Sequence, residues 1–332
     1  MFKRIGLLSI AVSLNTVSLS LNANTALVFK KNTPAILAMN FDWKYREGAV
    51  VIHPRNTLMV ASVDYHQMHP LMWKNQYASI IFHGGHKFKA GPGINGMNEK
   101  GLTASIFVTG SAGYPNNPEQ PTLKTSEWVQ YVLDNHQSVQ EVIDDLANYQ
   151  LVPDTYRNVV MNAQLLVNDA NGNSALIEFV DGRSVVHTQD TFPAPVVSNS
   201  DYRSALALLS DYQEYGGSKE LPGGYDSNAR FVRAAHFIKR LPSFVAKEER
   251  IAYAFNSLSD VAQAPATATP TQLSMVFDIS TKTIYFRSIN EAGVRVIPLD
   301  KIQFNELYEP TSINTYQHFY GDVLDKFQSM YG

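Results

Sequence analysis

Three short stretches hold a polar or charged side chain where packing alone would not call for one. In "NFDW", Asp42 follows directly on an apolar strand. In "PVVSNSDY", Asn199 leaves a strand at a sharp polar corner. In "LPGGYDSNARFVRAA", a glycine turn leads into a helix with Arg230 in its first turns. A helix dipole favours cations at its other end, so Arg230 points to a tertiary partner. Together these residues supply a carboxylate, a carboxamide and a fixed positive charge. Each also has a plainer reading, as a turn former for Asp42, a helix cap or turn for Asn199, and a surface salt bridge for Arg230.

No phosphate loop, GxGxxG, HExxH or GxSxG accompanies them. The chain has no cysteine, so disulfides and thiol chemistry are both excluded. His66/His69 and His83/His86 have ligand-like spacing, yet no acidic residue is placed to complete either pair. We read both pairs as solvent-exposed loop histidines and expect neither metal nor cofactor.

The elements that must position these groups come from turn chemistry and periodicity. Residues 25–29 and 35–41 flank "KKNTP" and read as a hairpin. A strand at 102–108 follows the "NEKG" turn, and 163–167 pairs with 175–180 around an Asn-Gly tip. A third hairpin joins 273–278 to 283–288, with 294–298 continuing the pattern. Helices are expected over 126–135, 138–149, 204–215 and 228–241, with Ser138 and Glu141 at capping-box spacing. Hairpin-linked strands separated by helical blocks predict α+β layers with antiparallel sheets.

The first 23 residues read as a secretory leader: Lys3 and Arg4, an apolar run from Ile5 to Val12, and a small residue at Ala23 before the expected cut. The run is too short to span a bilayer. Removal takes two cations and no anions, so net charge moves from −3 to −5. Lysines and arginines are scattered, which leaves no electrostatic footprint for nucleic acid. A secreted or periplasmic protein results, with residues 24–332 as one domain and Asn24 as its first residue.

In order along the chain, "NFDW", "GINGMNEKGL", "LLVNDANGNSALIEFVDG", "PVVSNSDYRSAL", "LPGGYDSNARFVRAA" and "VFDISTKTIYFRS" resemble the choloylglycine hydrolase / penicillin V acylase family of N-terminal-nucleophile amidases. The resemblance implies a four-layer αββα fold, two antiparallel sheets between helical layers, and a homotetramer. It implies hydrolysis of a linear amide: a conjugated bile salt, penicillin V or an N-acyl homoserine lactone. In that family a mature N-terminal cysteine attacks, with its own α-amine as base, a group of reference pKa about 7.7–8.0. Asp42 then matches the residue that orients nucleophile and amine, and Asn199 matches an oxyanion donor. Val108 matches the position of a backbone N–H in the same hole, and Arg230 matches the arginine beside the nucleophile.

Two positions depart from the pattern. The family's Cys-Thr is Asn24-Thr25 here, and Met39 replaces an arginine three residues before Asp42. A carboxamide nitrogen lone pair is delocalised, so Asn24 cannot form an acyl-enzyme. Three readings follow: an amidase using Thr25 after a cut behind Asn24, which moves the nucleophile to the other strand face; a non-catalytic relative that binds an acylated amide; or an ordinary acylase carrying a Cys-to-Asn change, against which Met39 argues. Substrate choice is expected in the loops at 60–72 and 107–115.

Overall fold

The computed structural model describes residues 24–30, 35–64, 69–85, 91–110, 112–242 and 246–331. The expected leader, His66 and His86 lie outside them. Among the described residues no helix is long and apolar enough to cross a membrane.

Two sheets carry the architecture. Strands β1 (Thr25–Phe29) and β2 (Ile36–Asp42) form the expected hairpin, with Thr25 opposite Asn40 and Ala26 opposite Met39. They sit in a seven-stranded sheet between Val196–Val197 on one side and Thr271–Asp278, Thr283–Ser288, Glu291–Pro298 and Gly321–Asp322 on the other. The second sheet has nine strands, with Ala163–Asn168, Thr103–Val108, Gly93–Asn98, Ser79–His83 and β3 (Ala49–His53) adjacent in that order. Neighbouring strands within this central run are antiparallel.

The sheets stack face to face, and Ala26, Met39, Phe82, Met97, Phe107, Leu166 and Phe277 share one core. Phe82 meets Phe277 and Phe286 edge to face, at ring centroids of 6.1 and 5.2 Å; truncating such a buried ring to alanine costs about 3–5 kcal/mol. Helices cover both outer faces. α1 (Trp128–Asn135) packs on Gly93–Asn98, while α4 (Ser227–Lys239) and α5 (Lys247–Asp260) pack on β1, β2 and Thr271–Asp278. The predicted αββα layering is the observed one. With both faces of each sheet covered, central strands are buried throughout rather than alternating. At Gly96 a Cβ would stand 2.4 Å from the carbonyl oxygen of Ile80 and 2.9 Å from Leu133 of α1, so helix and sheet approach closely only over glycine.

Several helical boundaries move. α2 (Val139–Asp145) starts where Ser138 accepts the Glu141 N–H, but stops at Asp145, whose carboxylate accepts from Tyr131 Oη at 2.7 Å. α3 (Tyr202–Leu208) gives way to two short 3-10 turns, because Tyr212 is extended between them and Gly216 adopts φ +99°. Asp201, not Asn199, caps α3 by accepting the Ser204 N–H. The strands β3, Ser79–His83 and Gly93–Asn98 were not expected; Gly93–Asn98 is "GINGMN", whose glycines and asparagines read as turn rather than strand.

Candidate active site

Successive side chains of a strand point to opposite faces, and this decides what residues 24 and 25 can touch. Asn24 lines an apolar pocket together with Phe41, Trp43, Ile94, Ile106, Val108, Tyr156, Val159 and Met161. Its side-chain oxygen accepts the backbone N–H of Asp42 at 3.0 Å, and its nitrogen donates to the carbonyl of Ile106 at 3.4 Å. Thr25 turns the other way, where its hydroxyl accepts from the Arg230 guanidinium.

Arg230 comes from α4, whose first turn is capped by Asp226 accepting the Ala229 N–H at 3.0 Å. The guanidinium is buried and donates to the Asn24 carbonyl at 3.0 Å and the Tyr225 carbonyl at 3.1 Å. It stands 3.6 Å from Asp42 Oδ2. Arg230 thus has the tertiary partners its position in the helix implied, and the surface salt bridge is excluded. Asp42 ends β2 fully buried, with Oδ1 accepting the Thr271 hydroxyl at 2.5 Å and Oδ2 without a hydrogen bond. Burial raises its carboxyl from the ordinary range to about 7, against the opposing pull of Arg230 and Thr271.

On the facing sheet Thr109 donates its N–H to the Asn162 carbonyl at 2.7 Å, so pair alternation turns the N–H and C=O of Val108 out of that ladder. Asn199 meets this edge, its side-chain nitrogen donating to the Val108 carbonyl at 2.8 Å while its oxygen stays buried and unpaired. The Asn199 carboxamide is thus turned onto the carbonyl of Val108, a residue of the pocket wall, while Asn199 itself does not line that pocket. Asn24, Thr25, Asp42 and Arg230 form one hydrogen-bonded group, and Val108 and Asn199 form another. Asn24 and Val108 share the pocket wall.

Met39 is fully buried with Asn95 Nδ2 3.2 Å from its sulfur. Asn95 Oδ1 and the hydroxyl of Ser105, the cross-strand partner of Asn95, are buried without hydrogen-bond partners among the described residues. The surroundings of Met39 are thus richer in acceptors than a thioether needs.

The histidine expectation needs correction. His83 ends a strand, buried, with Nε2 3.0 Å from His53 Nε2 and Nδ1 3.0 Å from the Gly91 carbonyl oxygen. It is neither in a loop nor exposed; His69 is exposed. Of the loops expected to shape the pocket, 107–115 contributes Val108, whereas no described residue of 60–72 lines it. No sequence signal marked the aromatic wall. Trp43 stacks between Phe41 and Tyr156, at centroid distances of 6.3 and 6.1 Å, and the Tyr156 hydroxyl donates to Glu47 at 3.0 Å. A hint lay in "TYRNVV", where Arg157 and Asn158 turn tightly at positive φ between two short strands.

A model of the linear amide C–N hydrolases, choloylglycine hydrolase family, matches residues 24–313. Penicillin V acylase of Pectobacterium atrosepticum is 32% identical over 181 residues, covering 52% of this chain and 47% of that protein. The match thus spans about half the length of that relative. Among solved structures, penicillin V acylase from Agrobacterium tumefaciens superposes with a TM-score of 0.78 at 24% identity, over 92% of this chain and 97% of that one. A variant of conjugated bile acid hydrolase from Clostridium perfringens gives 0.72 at 19% identity, over 90% and 98%.

Proposed function

We propose that this chain, which belongs to the choloylglycine hydrolase family of linear amide C–N hydrolases, holds an acylated amide in the apolar pocket before Asn24 without cleaving it. One observation carries the reading: the residue at the reacting position is a carboxamide, bonded to the Asp42 N–H. A thiolate in its place would attack a bound carbonyl carbon; the nitrogen lone pair of the Asn24 amide is delocalised, and its oxygen, which accepts the Asp42 N–H, is a poor nucleophile. The wall of Phe41, Trp43, Tyr156 and Met161 matches an aromatic or aliphatic acyl group in chemistry, and its cavity of about 30 Å3 would have to open to admit one. Val108 N–H and Asn199 would receive the carbonyl oxygen, once Asn199 leaves the Val108 carbonyl.

The proposal includes export, removal of residues 1–23, and assembly as a homo-oligomer, a tetramer by family resemblance. It tests by calorimetric titration of the mature chain with penicillin V, a glycine-conjugated bile salt and a long-chain N-acyl homoserine lactone. Saturable binding of one of them supports the reading, and binding of none overturns it.

Family membership itself favours a second reading, hydrolysis by Thr25 at a new N-terminus. Removal of Asn24 would have to free Thr25 and turn its hydroxyl from Arg230 into the pocket. The intact mass of the protein from its native compartment separates the two: a chain starting at Thr25 favours the amidase, and one starting at Asn24 the binding relative.

A further inference from the structure

Beside the apolar pocket lies a second cavity of about 500 Å3. Val108 lines the first and its neighbour Thr109 the second, and Asn199, bonded to Val108, lines the second as well. An amide whose carbonyl sits at Val108 and Asn199 sends its two halves away from the carbonyl carbon in opposite directions. With the acyl half against Trp43 and Tyr156, the amine half faces this cavity.

Its wall is acidic. Glu178, Asp181 and Asp201 line it, and among the described residues no lysine, arginine or histidine does. Glu178 is engaged behind the wall, with His187 Nε2 at 2.9 Å and the Tyr202 N–H at 3.1 Å. Asp201 accepts the Ser204 N–H at 2.7 Å, and Asp181 is exposed. Independently of the carboxylates, the lining residue Gln164 is 1% exposed and donates its nitrogen to the Ser198 carbonyl, which leaves its Oε1 with no hydrogen-bond partner among the described residues. A buried free acceptor calls for a donor. Among the described residues the wall therefore offers acceptors and negative charge and no basic side chain.

We propose that this cavity takes the amine half of the bound amide and selects one that carries a positive charge, over a carboxylate- or sulfonate-bearing amine. The inference rests on the acyl-amide reading and names its ligand class: N-acylated diamines and related cationic amines. Carboxylates lining a surface cavity attract a cation and repel an anion, which orders ligands by charge.

Three phenoxyacetyl amides of matched length test it, made from 1,4-diaminobutane, butylamine and 4-aminobutanoate, titrated calorimetrically into the mature chain alongside phenoxyacetate. The cationic amide is expected to bind tightest and the anionic weakest, at least about 10-fold apart, with the gap narrowing in high salt. The double variant Asp181→Asn/Asp201→Asn keeps the fold, since asparagine tolerates the φ of +50° at 181 and caps a helix at 201. It is expected to shrink the cation-to-anion ratio to about 3-fold or less. Equal affinities, or a ratio the double variant does not move, overturn the charge selection while the acyl pocket stands. Binding of phenoxyacetate with none of the amides also overturns it. Failure of all four ligands removes the acyl pocket and this inference together.

Discussion

The side-chain oxygen of Asn24 accepts the backbone N–H of Asp42 at 3.0 Å, and the same carboxamide reaches the Ile106 carbonyl on the facing sheet. Residue 24 therefore ties β2 to the opposite layer at the point where the family places its nucleophile. A carboxamide can bridge a donor and an acceptor in this way; a thiol does so weakly. On the proposed reading, the carboxamide makes this position a structural tie at the pocket floor.

Restoring the chemistry needs two changes. In a chain processed to start at residue 24, Asn24→Cys supplies a thiol and an adjacent α-amine among Asp42, Asn199 and Arg230. Slow amide release is expected from this variant. Adding Met39→Arg gives Asn95 Oδ1 and the Ser105 hydroxyl, which have no partner among the described residues, a donor, and is expected to raise the rate further. Amine release assays on both variants check this; no release from either would mean that more than the nucleophile has been lost.

Thr25→Val separates stability from ligand binding. The threonine hydroxyl accepts from a buried guanidinium, and hydrogen bonds to charged groups contribute roughly 1.5–3 kcal/mol. Urea unfolding should show a loss of that order, while ligand affinity changes by less than about 2-fold, because Thr25 faces away from the pocket. A large affinity loss without destabilisation would place Thr25 in the site.

Asp42 makes stability fall as pH rises. Burial raises its folded carboxyl to about 7, against about 3.9 when unfolded. Between those values the folded state holds the extra proton, so the group's contribution is fully present below about pH 4 and lost as pH approaches 7. The stability of the wild type relative to Asp42→Asn should therefore decline from pH 4 to 7 and level off above. Unfolding free energies across that range check it, and parallel curves would contradict it.

The His53–His83 pair works in the opposite direction. Burial lowers both imidazoles, His83 to about 4, and His53 is further held down by its neighbour. Their stability contribution is present above about 6.5 and lost as pH falls toward 4. Nitrogen-15 spectra of the two rings should show neutral tautomers at pH 6 and still at pH 5; a cationic ring at pH 6 would refute the assignment.

How much of this the sequence reveals depends on the kind of signal. The hairpins of β1 with β2, around the Asn-Gly tip at 171–172, and of Thr271–Asp278 with Thr283–Ser288 are legible from turn residues. Asp42, Asn199 and Arg230 are legible because each sits where local structure has no use for it. The strands β3, Ser79–His83 and Gly93–Asn98 are not, since burial on both faces erases period-2 alternation. His83 is misread for a related reason: "HGGH" looks like a loop, and only the long-range neighbour His53 shows the ring to be buried. The aromatic wall joins residues more than 100 positions apart, a relationship local patterns do not record.

On this reading the pocket binds an acylated amide and Asn24 leaves it intact. The most direct test is primary-amine release from phenoxyacetyl, bile-salt and acyl-lactone amides, at concentrations where calorimetry shows the site occupied, by mature protein whose mass begins at Asn24. Occupancy with no amine above the uncatalysed background is the predicted result. Amine released in proportion to protein, over repeated turnovers, would contradict it.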